Sequence, residues 1–224
     1  TPTGVLDDAK NNTGVGYNVF TSLTTGDKNT GIGSYVLSNV TTGSRNTSVG
    51  YNSLNKHTTG EYNVANGDSA LYNNTTASQN TGIGFYALYN NSTGNNNTAL
   101  GNNAGNKNKL NGNNTYIGYG ADLDLENATW HDSTALGYAA KITASNQIKL
   151  GRTSEKVVIP GGLDVSGVTV IDNTLTTTND VSFSTNLSVG GDVNVIGDIK
   201  QNGVAIGLDN LSDVKFKGTD FMNS

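Results

Sequence analysis

The stretch Asn12-Thr13-Gly14-Val15-Gly16 returns as Asn29-Thr30-Gly31-Ile32-Gly33 and again as Asn46-Thr47-Ser48-Val49-Gly50. The same frame opens at Asn63, Asn80, Asn97 and Asn114 and closes at Gly67, Gly84, Gly101 and Gly118, a constant step of 17 residues. Other columns keep the step. Phe20, Leu37, Leu54, Leu71 and Leu88 form one apolar row. Val15, Ile32, Val49, Ile83, Leu100 and Ile117 form a second, interrupted by Asn66, and Val19, Val36, Ser53, Ala70, Ala87, Ala104 and Ala121 a third of smaller residues. Thr24-Thr25-Gly26, Thr41-Thr42-Gly43 and Thr58-Thr59-Gly60 mark a recurring turn.

Such a unit is too short for a helical repeat of about 33 residues or more. It suits one coil of an all-β, parallel β-solenoid, with successive strands about 4.8 Å apart. Like residues then lie above one another, so Asn and Thr side chains are expected to form hydrogen-bonded ladders along the stack. The recurring glycines are expected at corners whose backbone angles a Cβ forbids. Three modest apolar side chains per coil make a thin core, and lateral association of identical chains is expected to complete it.

Composition fits this reading. Hydrophobic residues make up 34% and charged residues 14% of the chain, both below the usual globular share, while Gly alone contributes 29 residues. A net charge of -5 argues against nucleic acid as a partner, since phosphate binding needs Lys and Arg to displace counterions. No apolar run approaches the roughly 20 residues of a membrane span, so no membrane insertion is expected. Zero Cys excludes a disulfide framework and thiolate chemistry. The opening Thr1-Pro2-Thr3-Gly4 reads as the continuation of a longer polypeptide.

Beyond Gly118 the phase shifts: Ser133-Thr134-Ala135-Leu136-Gly137 arrives after 19 residues and Gln147-Ile148-Lys149-Leu150-Gly151 after 14. The insertion is placed in Ala121 to Asp132 and is expected to leave the coil as a loop, as solenoid insertions do on a binding face. Alternation puts Asp122, Asp124 and Glu126 on one strand face with Leu123 and Leu125 opposite. Such carboxylates suit either an oxygen-ligated cation or a solvated edge that discourages strand pairing. With Trp130 and His131 they make up the candidate receptor contact.

Tyr17, Tyr51, Phe85, Tyr119 and Tyr138 follow the closing glycines, and Tyr72 and Tyr89 lie one period apart. These rings suit a sugar-stacking surface, the ends of the core, or a subunit interface. With two His and no Cys a zinc set would have to draw on carboxylates or on copies from other subunits, and the acids are too scattered for the paired-carboxylate cleft of a polysaccharide-cleaving spike. Neither catalytic residues, a metal nor a cofactor is expected.

From Leu163 a six-residue period takes over, with Leu163, Thr169, Leu175, Val181, Leu187, Val193 and Ile199 in one phase and Val165, Ile171, Thr177, Phe183, Val189 and Val195 two residues later. Strands of three residues cannot pair stably within one chain, which points to three chains wound about one axis. The organisation read from the sequence is a connector at 1–11, coils over 12–159 with an irregular loop at 121–132, a hexad shaft over 160–206 and a second connector at 207–224.

Ser133-Thr134-Ala135-Leu136-Gly137-Tyr138-Ala139-Ala140 and Ser145-Asn146-Gln147-Ile148-Lys149-Leu150-Gly151 resemble the head repeat of trimeric autotransporter adhesins, the YadA-like heads. That likeness extends over residues 12–151, although the 17-residue period is longer than that family's. It implies a left-handed parallel β-roll whose three subunits pack around an axis. The hexads over 161–206 resemble the triple β-helix and β-prism shafts of bacteriophage tail fibres and spikes, and Leu208-Asp209-Asn210-Leu211-Ser212-Asp213-Val214 resembles a segment common in phage structural proteins. Together these resemblances imply a homotrimeric virion tail fibre acting outside the cell, with a host glycan or protein receptor and other tail proteins as partners. A bacterial trimeric adhesin head is the alternative.

Overall fold

A computed structural model describes residues 9–126 and 128–158, and the backbone of residues 200–201 and 204–205. The chain divides into two compact units, Thr1–Leu163 and Asp164–Ser224. In the first, β1 (Thr13–Val15), β2 (Thr30–Ile32), β3 (Thr47–Val49), β4 (Val64–Asn66), β5 (Thr81–Ile83), β6 (Thr98–Leu100) and β7 (Thr115–Ile117) stack in sequence order. β8 (Asp122–Leu123) and β10 (Lys141–Ile142) pair with each other, while β9 (Thr134–Leu136) and β11 (Ile148–Leu150) extend the main sheet to nine parallel strands. Every step is in register, Thr13 opposite Thr30 and Thr30 opposite Thr47. This is a parallel β-solenoid, and no described residue is helical. In the second unit, β12 (Lys200–Gln201) and β13 (Val204–Ala205) pair antiparallel within the one chain, and the three-residue strands of the first unit pair within it too, so strands this short do not by themselves require three chains; the rest of the expected hexad shaft, residues 1–8 of the first connector and the whole second connector lie outside the described residues.

The expected ladders form. Asn29, Asn46, Asn63, Asn80, Asn97 and Asn114 are buried, and each side-chain Oδ1 accepts the backbone N–H of the residue stacked above, as in Asn46 to Asn29 at 3.0 Å and Asn97 to Asn80 at 2.9 Å. Their Nδ2 groups donate across the coil, Asn29 to the Gly43 carbonyl at 2.8 Å and Asn46 to the Gly60 carbonyl at 3.0 Å. Threonine hydroxyls repeat a simpler pattern: Thr24, Thr41 and Thr58 each donate to the carbonyl 17 residues on, at 3.0, 3.2 and 3.0 Å.

The inward rows differ from the expected ones. The Leu row and the Val36 to Ala121 row are buried, but the Val15 row is not: Val15 is 58% and Leu100 48% exposed. Alternation along a three-residue strand sends positions one and three to the same face. The middle residue therefore faces inward, and in most coils it is small, Gly31, Ser48, Ala65, Gly82 and Ala99 among them. The leucines fill the space these small residues leave. They do so from left-handed backbone angles, with φ of 47° at Leu37, 49° at Leu54, 52° at Leu71 and 50° at Leu88. That conformation costs about 1–2 kcal/mol for a residue with a Cβ, and full burial of a leucine offsets it with about 1.5–3 kcal/mol.

The next residue in that column is Gly105, and the missing side chain is replaced from the opposite wall. Tyr116 takes the inward position of β7, where a Cβ built on Gly105 would lie 2.7 Å from its ring. Another inward column changes from Leu23 and Val40 through His57 to Asn74, Asn91 and Asn108. His57 joins the two chemistries, its ring nitrogens 2.9 Å from the Asn74 carbonyl and 2.8 Å from the Gly60 carbonyl. Burial holds its pKa below the ordinary histidine range.

The closing glycines meet both demands made of them. Gly50 and Gly84 have φ of 134° and 129°, and a Cβ there would fall 2.4 Å from the Gly67 carbonyl oxygen and 2.5 Å from that of Gly101. Valine at Gly50 or Gly84 is expected to cost about 3 kcal/mol or more, against about 0.5 kcal/mol or less for Thr47→Ser or Thr81→Ser. Thermal denaturation followed by circular dichroism ranks the four variants, and the reverse order would contradict the stacked-coil geometry.

Candidate functional site

The acidic segment does not form the face that alternation implied. Asp122 and Leu123 are both buried, while Asp124 and Glu126 are exposed and Leu125 is 59% exposed. Asp122 is therefore withdrawn from the candidate receptor contact. The reason is register: Asp122 continues the Leu88 and Gly105 column, one coil on. At 4% exposure its carboxylate accepts the Lys107 backbone N–H at 3.1 Å and that of Leu123 at 2.8 Å. Among the described residues no group of three or more His, Asp or Glu is placed to hold a metal ion.

The irregular loop is also shorter than the expected 121–132. Ala121 to Leu123 stay in the coil, and the Asn114 amide reaches the Trp130 carbonyl at 3.0 Å, taking 16 residues where earlier asparagines take 14. Two extra residues are thus absorbed between Asp124 and Trp130. Trp130 is half-buried against the core. His131 stays exposed, its Nδ1 2.6 Å from an Asp132 carboxylate oxygen. Trp130 and His131 are neighbours on the coil wall, with Asp124 and Glu126 on the exposed bulge beside it.

The larger exposed feature is the outer face of the nine-stranded sheet. Of its eighteen outward positions ten are aliphatic, seven are threonine, one is Asn66, and none carries a charge. Exposed rings flank it. Tyr35 bridges Tyr17 and Tyr51 edge to face at 5.4 and 6.1 Å. Tyr119 and Tyr138 stack at 5.5 Å, with the Arg152 guanidinium 4.9 Å over Tyr138. Further round the coil, Phe85, Tyr86, Tyr89 and Tyr72 form a continuous run with spacings of 4.0, 4.5 and 5.2 Å, closed by the Lys56 ammonium 5.0 Å over Tyr72. The ring faces within that run are taken up by one another and by Lys56, so it serves as a ladder along the axis and leaves little open face for a sugar. Nothing in the apolar rows alone separates inward from outward, and charge does not either, since the middle positions from Gly14 to Ala135 are as uncharged as the outer ones.

No known protein family, curated protein or solved structure matches the chain.

Burial raises the Asp122 pKa from 3.8 to about 6, against the lowering effect of the Leu123 and Lys107 N–H groups and of the Lys141 and Lys107 charges. The folded state thus holds the proton more tightly than the unfolded chain does, and it loses stability as pH rises from about 4 to about 6. Asp122→Asn is expected to raise stability above pH 7 by up to about 3 kcal/mol and to leave it unchanged near pH 4. Urea denaturation at the two pH values measures this, and an equal gain at both would show that the carboxylate charge is not the cause.

Proposed function

We propose that this chain is a rod segment of a homotrimeric fibre of the bacteriophage tail type, which holds a receptor-binding surface away from the virion. The reading is carried by the uncharged outer face of the sheet. Nine strands at about 4.8 Å spacing, two side-chain columns wide, make a patch on the order of 400 Å², within the size range of functional surface patches. Three such faces turned toward a common axis cover one another and complete the thin core. The threefold choice rests on the six-residue period after residue 160, which resembles the triple β-helix and β-prism shafts of tail fibres.

A fibre of this kind works by avidity, because three copies of a weak site on one rigid shaft engage a cell surface together. Its partners are then two further copies of itself, a host glycan or protein receptor, and neighbouring tail proteins, all outside the cell. One observation favours the second reading, a bacterial trimeric adhesin head: the last coil, from Thr134 to Ile148, shortens to 14 residues, the period of the adhesin repeat it resembles.

Light scattering of the purified chain is expected to give a mass near three times 23.3 kDa. Ile83→Glu combined with Leu100→Glu, both on the outer face, is expected to bring it to a single chain with an unchanged circular dichroism spectrum, since a charge is costly only where the face is covered. A parent species of 23.3 kDa would overturn the assembly.

A further inference from the structure

The last coil ends in a depression of about 360 Å³ lined in part by Asp124, Lys141, Thr143, Lys149, Arg152 and Thr153. Three cations meet one carboxylate there, on a chain whose net charge is -5. The most unusual of them is Lys149. It is the middle residue of β11 and lies opposite Ala135 of β9, at an inward position that every earlier strand of the sheet gives to Gly, Ser, Ala or Tyr116.

Lys149 is half-buried, and among the described residues its ammonium has no hydrogen-bond or ion-pair partner. An anion in the depression would give this ammonium the charged partner it lacks. Lys141 donates one bond, to the Gly120 carbonyl at 2.7 Å, which leaves two N–H groups free. Arg152 is partly neutralised, its Nε 3.2 Å from a Glu155 carboxylate oxygen, and the Lys141 charge is shared with Asp122 and Asp124, which leaves Lys149 as the lining cation with no partner among the described residues. Asp124 engages Lys107 only through its backbone carbonyl, at 2.8 Å. Its exposed carboxylate has no donor among the described residues.

We propose that this depression binds an acidic sugar, a pyranose bearing a carboxylate. Lys149 and Lys141 take the carboxylate, while Asp124 accepts the ring hydroxyls and Thr143 and Thr153 supply further polar contacts. The combination selects the class. Inorganic phosphate would satisfy the lysines but bring few donors to Asp124, and a neutral sugar would satisfy Asp124 but leave the lysines unpaired. The volume suits one ring, at the small end of ligand sites. All six residues belong to one chain, so the site stands or falls independently of the fibre reading.

The test is titration of the full chain with D-glucuronate, D-glucose and inorganic phosphate at fixed ionic strength, followed by nuclear magnetic resonance. Glucuronate is expected to bind saturably with a Kd on the order of 1 mM. Glucose and phosphate are expected to bind at least about tenfold more weakly, one or other set of groups being left unpaired. Lys149→Ala should lose at least about tenfold in glucuronate affinity, and Lys149→Arg should keep most of it. Asp124→Asn, at an exposed position that leaves folding intact, should weaken glucuronate and strengthen phosphate. The assignment is overturned by any of three results: no saturable glucuronate binding, phosphate binding as tight as glucuronate, or Asp124→Asn shifting both ligands in the same direction.

Discussion

The solenoid depends on one interaction, the amide of a buried asparagine bonding the backbone of the next coil. Asn12, Asn29, Asn46, Asn63, Asn80 and Asn97 each offer Oδ1 to the N–H of the asparagine above, and Asn114 offers it to Ser133 at 3.1 Å. Only a neutral group with both donor and acceptor can occupy such a column. Aspartate would stack like charges a strand spacing apart, and leucine would leave a buried N–H and a buried carbonyl without partners. The ladder fixes the coil-to-coil register, and with it the depth of every other column.

The period, the parallel stacking and the amide ladder were legible because each is a property of spacing. Which rows faced inward was not, because the outer face is nearly as apolar as the core. Val15 and Leu37 look equivalent as letters, yet one lies on the outer face and the other fills the centre. What distinguishes them is the residue between Thr13 and Val15, too small to signal burial by hydrophobicity. The left-handed angles of Leu37 to Leu88 were hidden for a related reason: branched side chains rarely adopt them, and only the packing of the facing wall makes them tolerable.

The Asp122 region shows a different limit. Local alternation grouped it with Asp124 and Glu126, but the 17-residue register overrode alternation and drew it inside. Trp130 and His131 were picked out by rarity, and the structure keeps them on the coil wall. Lys149 carries a readable signal: it is the only charge in the column of middle strand residues that starts at Gly14 and passes through Ala135 to β11. In a repeat, the informative letter is the one that breaks its column.

The exchange of volume between Gly105 and Tyr116 bears on how such a solenoid changes length over evolutionary time. Nearest-neighbour stacking allows whole coils to be duplicated or lost with the register intact, each event moving the two ends by one strand spacing. The units are not all interchangeable, however. A cut that parts Gly105 from Tyr116 would leave a void in one product and an overfilled interior in the other, so packing requires these two coils to be gained or lost together. The earlier coils, with Leu37, Leu54 and Leu71 over small partners, form the stretch in which length is free to drift.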